Sequence, residues 1–258
     1  MKNFKTAVLE NKEVAKNIFK IKFKAEQFVN EVKPGQFIEV LCAGESAPFL
    51  RRPFGIHGID KKSGTSEILI KKLGRGTEIL SFLKKGDALD IVGPLGNGFE
   101  LTNAKTHFVA GGGMGIAPLL FLARELKNQN KNLKIFLAAR SAGELPCVEE
   151  FRKLGEVIIS TDDGSLGEKC LINTPLERAL KTIKDAAVYA CGPHAMLRCI
   201  AELGVKYKAK TQVSLEEKMA CGFGVCQGCA VEVKNKDTKY KMVCKDGPVF
   251  NAEDIAWP

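Results

Sequence analysis

Four of the nine cysteines follow a spacing that is suited to binding iron. Cys221, Cys226 and Cys229 are separated by four and two residues, and Cys244 follows after another fourteen. This is the plant-type spacing, in which four thiolates hold the two irons of a [2Fe–2S] cluster. The sequence therefore predicts a redox centre in the C-terminal part of the chain.

Glycines fill the loop between these thiols, at Gly222, Gly224 and Gly228. Glycine allows the backbone to approach inorganic sulfides closely and to adopt unusual dihedral angles. Backbone N–H groups that point at the sulfurs then help to set the reduction potential. Structural zinc is the alternative. Zinc ligands usually come as two separated pairs, whereas three of these thiols share one loop.

A second glycine-rich turn, HFVAGGGMGIAPLLFL, lies between an apolar strand and a helical pattern. Such a turn lets a dinucleotide lie against bare backbone at the start of a helix. The spacing departs from G-x-G-x-x-G because Ile116 stands at the last position. A tight turn without a ligand is therefore the alternative. Another strand, AAVYACGPHAML, ends at Cys191, Gly192 and Pro193, and we expect both strand ends at one edge of a sheet.

A basic stretch, APFLRRPFGIHGID, precedes these motifs. Arg51 and Arg52 are of the type that binds phosphate, and Phe54 is able to pack on a planar ring. Further on, residues 74–77 open a predicted short helix, TEILSFLKK, whose first N–H groups suit a pyrophosphate. An arginine pair at a strand end and an ordinary loop are the alternatives.

The surrounding patterns predict three segments. Short strands with Gly and Pro between them predict an antiparallel β-barrel over 1–101. Alternating strands and helices predict an α/β, doubly wound nucleotide-binding domain over 102–208. The thiol cluster and one hairpin form a small C-terminal subdomain over 209–258. The fold class is therefore multidomain.

Composition narrows the class of protein. Hydrophobic residues make up 45% of the 258 residues and charged residues 27%, which is ordinary for a globular protein. The net charge of +9 is spread along the chain, so we expect a solvated basic surface and no nucleic-acid partner. No stretch is apolar enough to span a bilayer, and the start is charged throughout. We therefore expect a cytoplasmic protein without a membrane partner, whose cysteines stay reduced.

Together these motifs resemble those of the ferredoxin-reductase-like flavoprotein superfamily. Residues 52–55 resemble its flavin motif, and 111–118 and 191–196 resemble its two nicotinamide-nucleotide motifs. The C-terminal cysteine cluster and two longer stretches, TDDGSLGEKC and EEKMACGFGVCQGCAV, add to this likeness. With them, the chain is similar over its whole length to one family. That family is the electron-transfer subunits of two-subunit, NAD-linked dihydroorotate dehydrogenases. One departure is Gly55, because the superfamily usually has a serine or threonine there, near the flavin N5.

The resemblance implies three cofactors, FAD, NAD and a [2Fe–2S] cluster held by the four clustered thiols, and no catalytic side chain. It implies FAD contacts at Arg51, Arg52, Pro53, Phe54, Gly55, Leu69, Ile70, Lys71, Gly76 and Thr77. It implies NAD contacts at Gly111, Gly112, Gly113, Met114, Gly115, Cys191, Gly192 and Pro193.

The resemblance also implies a partner, an FMN-containing subunit that oxidises dihydroorotate to orotate in pyrimidine synthesis. Two copies of each subunit would form a heterotetramer. Electrons would pass from the FMN to the cluster, then to FAD and NAD, with loop 219–229 near the partner. The alternative is the flavin and iron–sulfur subunit of another NAD(P)H:ferredoxin-type oxidoreductase complex. Arg140 and Ser141 leave the choice between NAD and NADP open, because they suit a 2′-phosphate.

Overall fold

The computed structural model describes residues 1–43, 48–234 and 237–257. These residues form a closed antiparallel barrel, a doubly wound sheet and a C-terminal segment, which confirms the predicted fold class. Within the described ranges, no helix is long and apolar enough to cross a membrane.

Six antiparallel strands close the barrel in the spatial order β1-β2-β5-β4-β3-β6. Their bounds are β1 (Lys2–Ala15), β2 (Ile18–Lys24), β3 (Phe37–Leu41), β4 (Arg52–Asp60), β5 (Thr65–Lys71) and β6 (Ala88–Leu95). The alternating sequence of β2 explains the closure, because Phe19, Ile21 and Phe23 pack into the barrel core while Lys20 and Lys22 stand between them. One helix, α1 (Arg75–Ser81), follows β5 and begins two residues before the predicted start at Thr77.

A six-stranded sheet in the order β14-β11-β10-β7-β8-β9 forms the second layer. Its strands are β7 (Thr106–Gly112), β8 (Asn132–Ala139), β9 (Glu156–Thr161), β10 (Ala186–Cys191), β11 (Lys210–Ser214) and β14 (Val249–Asn251). Strands β7 to β11 pair in parallel, and β14 is antiparallel to β11. The helices are α2 (Ile116–Asn128), α3 (Val148–Arg152), α4 (Asn173–Thr182) and α5 (His194–Tyr207).

The C-terminal segment packs on this sheet and shares its core. It contains a hairpin, β12 (Ala230–Glu232) and β13 (Tyr240–Met242), then α6 (Val243–Asp246) and β14. Two residues of the predicted hairpin, 235 and 236, lie outside the described residues. Cys229 and Val243 belong to the same apolar cluster as Val188 of the sheet. Trp257 packs edge-on against His194, with ring centroids 5.0 Å apart.

The barrel and the α/β domain are joined by both apolar and polar contacts. Phe121 of α2 belongs to the apolar cluster that fills the barrel. Glu150 of α3 pairs with Lys20 of the barrel at 3.0 Å and also with Arg124 of α2. Although burial opposes ionisation, the bonded Lys20 ammonium lowers the pKa of Glu150. This carboxylate therefore links the two domains.

A neutral histidine–cysteine pair lies beside this link. The Nδ1–H of His57 donates to the carbonyl oxygen of Ala117 at 2.6 Å, and its Nε2 lies 3.6 Å from the Sγ of Cys147. Burial lowers the pKa of His57 to about 4 and raises the pKa of Cys147 to about 12. Since Glu150 already binds two cations, we interpret this group as an interdomain contact.

We expect Glu150→Ala to lower the free energy of unfolding by about 1–2 kcal/mol, because it removes the carboxylate shared by Lys20 and Arg124 and leaves Arg124 only the longer pair with Glu67. The effect is expected above the unfolded pKa of 4.5 and should shrink as the pH falls, since the folded pKa is lowered. Urea unfolding at several pH values measures it. Glu149→Ala is the control, because the ion pair of Glu149 with Arg152 is exposed. Equal effects of the two variants would contradict the interdomain role.

Candidate functional site

The four clustered cysteines lie in two pairs. Cys221 and Cys226 share the irregular loop after β11, while Cys229 precedes β12 and Cys244 lies in α6. All of these thiols are free. The N–H of Cys226 donates to the Sγ of Cys221 at 3.5 Å, and the sulfurs of Cys229 and Cys244 are 3.3 Å apart.

The distance between the two pairs of thiols bears on whether the site suits one metal ion or two. A single zinc ion with Zn–S distances of about 2.3 Å would bring all four sulfurs to within about 4 Å of one another. Among the described residues, the one group of three such ligand atoms within 4.8 Å of one another is His57, Cys147 and Glu150. The four clustered thiols do not converge in this way, and two pairs fit a two-iron cluster.

Backbone N–H groups point at the sulfurs of the loop, as a cluster requires. The N–H of Gly228 donates to the Sγ of Cys226 at 3.5 Å. Although burial opposes it, backbone hydrogen bonds from Cys226 and Phe223 lower the pKa of the Cys221 thiol to about 6. Burial raises the pKa of Cys244. Cys221 is thus a thiolate near neutral pH, which is the form that binds metal.

Two glycines of this loop adopt backbone angles that other residues avoid. The φ angles of Gly222 and Gly224 are +78° and +89°. A Cβ on Gly222 would also lie 2.6 Å from the Cγ of Glu39, on β3. Gly228 differs, because a Cβ there would meet only the Sγ of Cys226, at an ordinary 3.6 Å. The loop therefore needs glycine most at 222 and 224.

A cleft of about 290 Å³ lies where the barrel meets the α/β domain. We refer to it as the flavin cleft. Six of the ten predicted FAD contacts line it, namely Pro53, Phe54, Gly55, Leu69, Lys71 and Thr77. Two predicted NAD contacts, Met114 and Cys191, line it as well. Its remaining wall includes residues 214–217 and Met219, which lead into the cluster loop.

The two arginines predicted to bind FAD phosphate lie outside this lining, as far as the described residues define it. Arg51 pairs with the carboxylate of Asp90 at 2.6 Å and donates to its carbonyl oxygen at 2.9 Å. Arg52 donates to the carbonyl oxygens of Leu50 and Arg51. Arg51 is therefore engaged in an ion pair with β6, whereas the contacts of Arg52 within the described residues are to carbonyl groups.

Two further predicted FAD contacts face inward. Ile70 is fully buried in the barrel core. Gly76 is buried in α1, and a Cβ there would lie 3.2 Å from the Sγ of Cys42. At both positions the space beside the backbone is therefore filled by other protein atoms. The roles of all four residues outside the lining stay predictions.

The glycine at position 55 has a packing reason. A Cβ on Gly55 would lie 3.0 Å from the Cβ of Pro118, in the first turn of α2. Serine or threonine at this position would press the barrel away from that helix. The close contact therefore accounts for the departure from the superfamily motif, and the flavin cleft lacks a hydroxyl group at this position.

A second cleft, of about 510 Å³, lies at the carboxyl edge of the parallel sheet. We refer to it as the nucleotide cleft. Of the predicted NAD contacts, Gly112, Gly113 and Pro193 line it. Arg140, Asp162 and Met196 also line it, and Lys71 lines both clefts.

The predicted nucleotide glycines divide into two groups. A Cβ on Gly115 would lie 2.3 Å from the carbonyl oxygen of Cys191, and one on Gly111 would lie 2.9 Å from the Cγ1 of Ile116. These glycines bring the two strand ends and the helix together. Gly113 differs, because its φ is +55° and its Cβ position is open. Gly192 has a φ of +157° and lies against Gly112 and Met196.

A charged group separates the two clefts. Glu144 accepts hydrogen bonds from Lys71 at 2.9 Å and from Arg140 at 2.8 Å. The hydrogen bond from Lys71, followed by the one from Arg140, lowers the pKa of Glu144. Arg140 is thus already paired with a carboxylate. The carboxyl group of Asp162 lies in the same cleft.

Sequence reasoning missed Glu216, which lines the flavin cleft near Cys191. Glu216 is exposed on the wall of the cleft, whereas Cys191 is buried and burial raises the pKa of its thiol. Cys191 is therefore favoured in its protonated form. A signal did exist, because this acidic residue lies two residues after the end of a parallel strand, near the carboxyl edge where side chains meet.

Three family models match the chain. They are described as an oxidoreductase FAD-binding domain at 5–99, an oxidoreductase NAD-binding domain at 108–202, and the iron–sulfur cluster binding domain of dihydroorotate dehydrogenase B at 216–256. Together they cover most of the chain. These matches confirm the predicted FAD, NAD and iron–sulfur cofactors.

Curated relatives match over almost the full length. A protein of Caldanaerobacter subterraneus subsp. tengcongensis is 42% identical over 252 residues, which are 97% of each chain. One of Desulforamulus reducens is 38% identical over 259 residues, which are 99% of each chain. Both are named dihydroorotate dehydrogenase B (NAD(+)), electron transfer subunit.

Solved structures agree on the fold. A chain of the NADH-dependent reduced ferredoxin-NADP oxidoreductase has a TM-score of 0.87 and 29% identity, over 98% of this chain and 90% of that one. A ferredoxin NADP+ reductase from Neisseria gonorrhoeae has a TM-score of 0.68 and 17% identity, over 80% of this chain and 92% of that one. The second likeness concerns the fold alone.

We expect Gly222→Ala to lower the iron content of the purified protein strongly. The positive φ costs an alanine about 1–3 kcal/mol, and the new Cβ would clash with Glu39. Gly228→Ala is the control, because its Cβ position is open apart from one ordinary contact. Iron and acid-labile sulfide per chain provide the measurement. If both variants retained a full cluster, the loop would not require a glycine with positive φ at position 222.

Proposed function

The chain belongs to the family of dihydroorotate dehydrogenase B electron transfer subunits, and we propose that it carries electrons from a partner's FMN to NAD+ through a [2Fe–2S] cluster and FAD. The partner is the catalytic subunit that oxidises dihydroorotate to orotate in pyrimidine synthesis. The assembly is a heterotetramer with two copies of each subunit, and it works in the cytoplasm.

One observation carries this proposal, namely that the three sites are continuous. Met219 lines the flavin cleft and is two residues before Cys221. Cys191 lines the flavin cleft, while Pro193, two residues later, lines the nucleotide cleft. Lys71 lines both clefts. A route from the cluster loop to the nucleotide therefore follows the walls of two adjoining clefts.

The residues present suit the three cofactors. When bound, the cluster supplies one-electron transfer, FAD converts between one and two electrons, and NAD accepts a hydride. Cys221, Cys226, Cys229 and Cys244 would hold the cluster. Phe54 and Gly55 of β4 would face the flavin ring, and the open backbone at Gly113 would face the nucleotide. The chain's own task is binding, orientation and exclusion of water, and no side chain needs to act as a strong base.

The nucleotide cleft favours NAD over NADP. A 2′-phosphate requires a free cation, and Arg140 is bound to Glu144. Glu144 and Asp162 both line the cleft, and their carboxylates would repel a further phosphate. We therefore interpret Arg140 as paired with Glu144 and assign it no phosphate.

The tip of the cluster loop is suited to the partner interface. Phe223 and Val225 are 44% and 74% exposed. Cys226, the next residue in the chain, is exposed as well. Apolar groups at the surface next to a redox centre favour contact with another protein. Contact here would bring the partner's flavin close to the cluster. We therefore place the partner on the 219–229 loop.

Removal of one thiol tests the order of the route. Cys226→Ser is expected to remove the cluster and reduce dihydroorotate-dependent NAD+ reduction by the complex to background. Flavin reduction by NADH should stay close to wild type, because the flavin and nucleotide clefts remain intact. Rapid-mixing absorption measures flavin reduction. Cys170→Ser, another partly exposed cysteine, is the control. Loss of NADH-dependent reduction in a folded, FAD-bound variant would overturn the order.

A matched pair of valines tests the interface. We expect Val225→Glu to weaken binding of the catalytic subunit by about 5–30-fold, or about 1–2 kcal/mol, because a charge would be buried against an apolar partner surface. Val205→Glu is the control, since Val205 is 66% exposed on α5. Sedimentation velocity measures association, and iron analysis verifies the cluster. Equal binding by the two variants would place the partner elsewhere.

A further inference from the structure

Glu39 is a buried acid without a partner. It lies in the middle of β3, and its exposed fraction is 0%. Neither carboxyl oxygen has a hydrogen-bond partner within residues 1–43, 48–234 and 237–257. Acids are rarely buried in this way, because an unpaired carboxyl group loses its hydration. The other two central residues of β3, Ile38 and Val40, are apolar, so the strand itself does not require an acid.

The surroundings of Glu39 place it between the cluster loop and the flavin cleft. A Cβ on Gly222, next to Cys221, would lie 2.6 Å from the Cγ of Glu39 and 2.8 Å from its Oε1. On the barrel side, Glu39 is the cross-strand partner of Pro53, which lines the flavin cleft. The carboxyl group therefore lies on the cluster side of the flavin cleft, directly against the loop.

Among the described residues, two arginines and one thiol act on the charge of Glu39. Burial raises its pKa to about 7, and the opposing charge of Arg51 limits that rise. Arg51 itself is paired with Asp90. The thiol of Cys221 also raises the pKa of Glu39, whereas the positive charge of Arg52 lowers it. Because the position is buried, a negative charge held there acts strongly on the loop beside it.

We propose that Glu39 is a positioning residue for the iron–sulfur centre: its side chain supports the loop at Gly222, and its negative charge lowers the reduction potential of the cluster. A negative charge nearby disfavours an added electron, and a lower potential at the cluster favours onward transfer towards the flavin cleft. This inference rests on the proposed function, because it requires a cluster at the four thiols.

The test is a reductive titration of the full chain, prepared anaerobically with its cluster and flavin. Paramagnetic resonance reports the cluster, and absorption reports the flavin. The titration is run at several pH values up to the alkaline limit of cluster stability, because a higher pH favours the carboxylate form of Glu39. Glu39→Gln keeps the size of the side chain and removes its charge. It should shift the midpoint potential of the cluster to more positive values and shift the flavin less. Glu10→Gln, on an exposed part of β1, should change neither.

A second pair covers the case in which Glu39→Gln fails to load iron. Glu39→Asp and Glu39→Asn have nearly equal size and differ in charge, so the Asn variant should have the more positive cluster potential. The inference would be overturned if Glu39→Gln had the same cluster potential as the wild type. It would also be overturned if Glu39→Asp and Glu39→Asn had equal cluster potentials. A wild-type chain with iron, sulfide and a normal signal would still support the proposed function in that case, whereas a chain that never binds iron would overturn both.

Discussion

The close approach of the cluster loop to the barrel is the constraint on which the rest of the structure depends. Electron transfer fades steeply with distance, so a cluster and a flavin have to be held near each other. Gly222 lies against Glu39 of the barrel, and Met219 forms part of the flavin cleft. The loop therefore cannot move away without opening that cleft. The shared apolar core of Cys229, Cys244 and the parallel sheet fixes the other end of the cluster site.

Glycine serves two separate purposes around these sites. At Gly55 and Gly115 it permits close packing, against Pro118 and against the carbonyl group of Cys191. At Gly113 and Gly222 it provides a left-handed backbone. Most of the glycines in the nucleotide motif therefore shape the walls of the cleft by contact with protein, and Gly113 is the one whose Cβ position is open towards the cleft.

Local patterns were sufficient to predict the fold class and the cysteine cluster. Strand alternation is visible in β2, and the spacing of the four thiols predicts a metal centre. Long-range contacts were not predictable. Arg51 is paired with Asp90, on a strand thirty-nine residues later, and Gly55 contacts Pro118 of another domain. Glu39 looks like an ordinary strand acid until the fold brings Gly222 onto it.

Metal and sulfide analysis of anaerobically purified protein tests the central claim most directly. If two pairs of thiolates hold a two-iron cluster, each chain should contain about two irons and two acid-labile sulfides. On reduction, a single paramagnetic signal should integrate to about one spin per chain. One zinc ion per chain, without iron or sulfide, would contradict the account, because the loop would then have no electron to pass to the flavin.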